Sequence, residues 1–202
     1  MKNFKYIFTV IITLFFSYLH AQIKPIETIR NDSFIDNPNT YYKDTNNRLA
    51  NCVGTWEYNN GSDYFKITFS LVKELINNSY SIYQDKLKAK FIYKKNGVIK
   101  YDNYGPLYPI GTNVNTKPSI ISSNFVLPSK ISFFYTEPSA TDCYRRRVGR
   151  LEIQFVTGTP AKLIWHRTTD TRYFHDGPCD DGSQTDDAPF IIPADMVLTK
   201  IN

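Results

Sequence analysis

Arg145, Arg146, Arg147 and Arg150 form the dense basic cluster of this chain. A guanidinium offers a planar fork of donors that can grip a carboxylate or phosphate through two bonds at once. Arg147 shares its parity with Leu151, Ile153 and Phe155, and Arg167 shares its parity with Trp165. Residues two apart along a strand lie on one face. If that face lines an interior, Arg147, Arg167 and Trp165 are candidate ligand-binding residues, with the two arginines directed at one mouth. They would hold the anionic head of a molecule whose apolar part lies against aromatic rings. The plainer reading of the cluster is a solvated strand end.

The three cysteines, Cys52, Cys143 and Cys179, allow three single disulfides with one thiol left over. In a meander, the loops 138–146 and 170–189 lie at the same end. That favours Cys143–Cys179 and leaves Cys52 reduced and partly buried. His175, Cys179, Cys143 and His166 do not have the spacing of a zinc set. The acidic stretch from Asp176 to Asp187 lacks the order of a calcium loop and reads as solvated. No metal and no cofactor is expected. Nucleophile-elbow, zinc-protease, phosphate-loop and dinucleotide signatures are all missing from the sequence. Only paired carboxylates keep a hydrolase in play, because their separation is spatial.

These residues need strands to position them. Phe65, Ile67, Phe69 and Leu71 alternate with polar neighbours. So do Leu87, Ala89 and Phe91, then Ile131, Phe133 and Tyr135, then Leu151, Ile153 and Phe155. Alternation sets one face in a core and the other in water. Turn residues punctuate the runs at Asn59-Asn60-Gly61, Asn96-Gly97 and Gly158-Thr159-Pro160. No run makes a convincing amphipathic helix; the best candidate, Leu71–Asn77, spans about one to two turns. Around the Gly158–Pro160 loop, the buried face sets Phe155 opposite Leu163 and Ile153 opposite Trp165. Glu152 then faces His166, where a charge pair could form, and Leu151 faces Arg167.

The N-terminus has a different character. Lys2 and Lys5 precede an uncharged apolar run over Tyr6–Phe16, and Ala21 offers a small residue for cleavage. That is the layout of a signal peptide over 1–21, too short for a span of about 20 apolar residues. Export by the Sec route to the periplasm or beyond follows, and it permits disulfides. Residues 1–21 carry two lysines and no acid, so without them the formal charge of +5 becomes +3. So small an excess does not argue for nucleic acid, and no later segment is apolar for long enough to span a membrane. Residues 22–51, broken by Pro25 and Pro38 and rich in asparagine, read as an extended, irregular lead-in to a domain at 52–202.

Gly54-Thr55-Trp56 opens the first alternating run. It resembles the Gly-x-Trp start of lipocalin-like (calycin) barrels. In that family the tryptophan closes one end of the barrel beneath a basic side chain from the last strand. The resemblance makes Trp56 and Lys200 the barrel-closing pair; the bland reading leaves Trp56 as core. A wider likeness runs through Tyr41–Leu49, Tyr83–Leu87 and the closing Met196–Ile201 run. These are similar to an uncharacterised family of secreted bacterial (Bacteroidota-type) proteins, which implies a compartment but no activity.

The resulting expectation is an all-β fold: a single antiparallel lipocalin-like barrel of roughly eight to ten strands. The leading function is binding of a small apolar or amphipathic molecule inside it. The alternative is a non-catalytic interaction protein with a filled core, whose partner is another envelope protein. A hydrolase comes third. Interior volume separates the first two, since ligand pockets hold about 300 Å³ or more.

Overall fold

The computed structural model describes residues 22–103, 119–127, 129–137, 147–169 and 190–201. The expected leader, Cys143, Cys179, His175 and the acidic stretch 176–187 lie outside these residues. Among the described residues, eleven strands form one sheet. They are β1 (Gln22–Pro25), β2 (Thr40–Lys43), β3 (Gly54–Asn59), β4 (Asp63–Asn77), β5 (Ile82–Lys95) and β6 (Val98–Asp102). Then come β7 (Ser119–Val126), β8 (Ile131–Glu137), β9 (Arg147–Val156), β10 (Lys162–Thr169) and β11 (Asp195–Lys200). The spatial order is β1-β2-β5-β4-β3-β11-β10-β9-β8-β7, with β6 on the far half of β5.

The turn chemistry explains the hairpins. Asn96 and Gly97 both take positive φ, 52° and 76°, the pair that a tight β5–β6 turn requires. Asn60 Oδ1 accepts from the Asp63 and Ser62 amides at 2.7 and 3.1 Å and folds the β3–β4 turn. In the β9–β10 hairpin the observed register is the one set by the buried face: Phe155 opposite Leu163, Ile153 opposite Trp165, Leu151 opposite Arg167. The pair Glu152–His166 is opposed but not bonded. Glu152 meets Lys130 at 2.6 Å, and His166 meets Asp195 at 2.5 Å.

Two expectations are corrected. The sheet is a strongly curled half-barrel of mixed direction rather than a closed antiparallel barrel. β1 runs parallel to β2, and β2 parallel to β5. β7 curls back near β5, but the free edge of β5 is already taken by β2 at one end and β6 at the other. Second, residues 22–51 are only partly irregular. They supply β1, β2 and two 3-10 turns, Ile26–Arg30 and Ala50–Cys52. Leu71–Asn77, the best of the unconvincing helical candidates, is the second half of β4, paired with β5 across to Ile82. Leu71 and Leu75 fit a helical spacing as well as an alternating one, and the neighbouring strand decides between them.

The concave side is filled with rings. Trp56, Phe65, Phe69, Phe91, Tyr93, Phe133, Tyr135 and Trp165 are all buried. Phe65 meets Trp165 at 5.1 Å and Phe91 at 5.4 Å between centroids. Phe69 meets Phe133 at 5.9 Å. Edge and tilted contacts of this kind add to the burial of large apolar surfaces.

Candidate functional site

On β8 and β10, two charged side chains break the apolar pattern of the concave face. β10 presents Leu163, Trp165 and Arg167 inward, all buried. β8 presents Ile131, Phe133, Tyr135 and then Glu137, also buried. Burying a charge is costly unless it is bonded, so the partners of each are informative.

Glu137 is well supplied. It accepts from the Ile191 and Ile192 amides at 2.7 and 3.2 Å, and from the hydroxyls of Tyr135 at 2.5 Å and Tyr101 at 3.4 Å. Burial first, and then the Glu137 charge, push the Tyr135 phenol well above its ordinary value. The carboxylate thereby fastens residues 190–194, the strap that leads into β11. Tyr93 completes the fastening by donating to the Ile191 carbonyl at 3.0 Å. Its hydroxyl also bonds Asp63, which holds that carboxyl below its usual range.

Arg167 is poorly supplied. Its guanidinium sits 3.7 Å from the centre of the Phe190 ring and 5.7 Å from that of Tyr135. Nη2 reaches the Ile192 carbonyl at a long 3.4 Å. Nε is buried with no hydrogen-bond partner among the described residues. Burial draws the guanidinium below its ordinary value, while Tyr135 and Glu137 oppose the shift. Trp165 Nε1, two residues away on the same face, is likewise buried without a partner there. Its ring is wedged edge-on against Phe65 and Tyr135. Two adjacent inward donors therefore lack acceptors within a wall of rings. Such a pair can accommodate a carboxylate, phosphate or carbonyl oxygen brought from outside.

Arg147, the third residue expected here, is placed by its backbone on β9, where its Cα partner is Glu137. Gly149 lies between that position and Leu151. A Cβ there would come within 2.3 Å of the Thr168 carbonyl oxygen, so only glycine lets β10 approach so closely.

Trp56 and Lys200 lie at the opposite end of β10. They are directly opposed across β3 and β11, with Lys200 Nζ 5.2 Å from the Trp56 ring centre. Trp56 is fully buried, donates to the Cys52 carbonyl at 2.8 Å and packs edge-on to Phe155. Cys52 is a free, buried thiol, pushed up to about 12 chiefly by burial. A cleft bounded by Arg48, Cys52, Lys130 and Ile153 holds about 80 Å³, well short of the roughly 300 Å³ at which small-molecule pockets begin.

A model of a family of unknown function, DUF6705, matches residues 1–201. The chain belongs to that family. No curated protein matches it, and no solved structure does. The DUF6705 fold must therefore be read from its own geometry. Sequence parity puts Trp165 and Arg167 together but misses Glu137 and Phe190. Glu137 is the next inward position after Tyr135, and an acid on an otherwise apolar face is the signal that would reveal it. Phe190 lies outside any alternating run and carries no comparable signal.

Proposed function

We propose that the protein is an exported bacterial binding protein that captures a small amphipathic molecule at the rim of its half-barrel. Trp165 Nε1 and Arg167 Nε hold the acceptor-bearing head. Arg147, whose strand position is opposite Glu137, is proposed as a third residue of the site. The reading rests on the two neighbouring inward donors, both buried and both without an acceptor among the described residues. Leaving such groups unmet costs about 1–3 kcal/mol each, a cost that a bound oxygen removes. The ring-filled interior favours a guest lying against the mouth over one swallowed whole.

The non-catalytic interaction reading draws on a different observation. Ile164 and Val197 are directly opposed on the convex face and stand 39% and 50% exposed. A partner protein could cover that pair.

Native mass spectrometry of the protein purified from its own host separates the two. The expected result is a retained small molecule that is lost in Arg167→Met. Bare protein mass in repeated preparations would overturn the ligand reading.

A further inference from the structure

We propose that Phe190 is a resident plug of the Arg167 site. Its ring occupies the place over the guanidinium that the apolar part of a ligand takes on binding. The inference rests on Arg167 being the ligand anchor, and it adds how that anchor is kept covered and what shape of guest it admits.

Four observations carry it. The Phe190 ring lies 3.7 Å from the guanidinium carbon and 6.0 Å from the Tyr135 ring, so one face of the cation is covered by an aromatic side chain. A cation over a ring face is attracted by the π-electrons but gains no hydrogen bond from them. The in-plane Nε–H accordingly remains unmet. The backbone just beyond Phe190 is pinned at Ile191 and Ile192 by Glu137 and Tyr93. Phe190 itself is only partly buried, packed against the core from its margin. A rotation at residue 190 therefore moves the ring while the strap stays fastened.

The geometry also selects a guest. What replaces Phe190 must present a flat or slender apolar part to the face of the guanidinium. It must also present an acceptor in the guanidinium plane, where Nε–H points. An aromatic or short-chain acid has both. A bare inorganic anion satisfies the edge and leaves the plug in place.

The test uses the full chain and 1-anilinonaphthalene-8-sulfonate, an aromatic sulfonate, titrated by fluorescence. Four proteins are compared: the parent, Phe190→Ala, Arg167→Met, and the two changes together. Thermal unfolding accompanies each to confirm a folded state. Phe190→Leu serves as a milder variant that keeps the strap packed. We expect Phe190→Ala to tighten the probe by about tenfold, the factor that a desolvated ring–cation contact supplies. Phe190→Leu should give a smaller gain, and Arg167→Met should cancel both. One outcome overturns the plug while leaving the anchor intact: a Phe190→Ala affinity equal to the parent's although Arg167→Met weakens binding. A gain from Phe190→Ala that persists beside Arg167→Met, with Arg167→Met alone without effect, overturns the anchor itself.

Discussion

Arg167 and Glu137 are both charged, both buried and within one end of the same concave face, yet they play opposite parts. Glu137 gathers two backbone amides and two phenols. Its replacement by leucine strands four donors, so Glu137→Leu should cost about 3 kcal/mol or more, read from the urea midpoint. Arg167 has one long bond to a carbonyl, and its burial is poorly compensated. Exchanging a badly paired buried charge for an apolar side chain of similar length is neutral or stabilising. Arg167→Met should therefore raise stability by about 1 kcal/mol while abolishing ligand retention. A loss of stability above about 2 kcal/mol would mark Arg167 as scaffold. This contrast was half visible in the sequence. Parity along β10 identifies Trp165 and Arg167 as inward. It does not reveal which inward charge is satisfied, because the backbone donors to Glu137 come from a strap 54 and 55 residues further along the chain.

At the scale of elements, the segment between residues 22 and 53 is stitched to the sheet by carboxylates rather than by long ladders. Asp85 on β5 accepts from the Tyr41 hydroxyl at 2.5 Å and the Asp44 amide at 2.9 Å. Asp44 in turn caps the turn at Ala50–Cys52 by accepting the amides of Arg48, Leu49 and Ala50 at 2.7, 2.9 and 2.8 Å. Asp32 takes the Tyr42 hydroxyl and the Lys24 ammonium, both at 2.9 Å. Burial first, then Asp85 or Asp32, push the Tyr41 and Tyr42 phenols up from 10.0 to about 12. A raised folded value means that the native state holds its protons more tightly than the unfolded chain. Their contribution is thus complete below pH 10 and lost as pH rises to about 12. The Tyr41→Phe, Tyr42→Phe double variant should show a flatter alkaline limb than the parent, measured as urea midpoints between those two pH values. Unchanged limbs would mean that the pairs do not anchor the segment. None of this was legible beforehand. β1 and β2 are four residues each, too short for alternation to register, and asparagines and prolines dominate the local pattern. Where strands run long, as over Phe65–Leu71 or Leu151–Phe155, inward and outward residues were readable because the period of two is set by the backbone itself.

The whole molecule depends on both of its extremes. Ile26, Leu49 and Cys52 belong to the same buried cluster as Trp56 and Phe65. A chain beginning at residue 53 should therefore fail to give cooperative thermal unfolding; a sharp transition at the parent temperature would contradict that. At the other extreme, β11 lies between β3 and β10. It receives two ladder positions from one side and five from the other. Everything up to β6 stands on one flank of it, and β7 to β10 on the other. The two halves are thus translated in full before the strip that welds them exists. A chain that stops at residue 194 lacks the strand that pairs with both β3 and β10 and leaves their facing edges without ladder partners. Until residues 195–200 are made, the ladder that joins the two flanks does not exist.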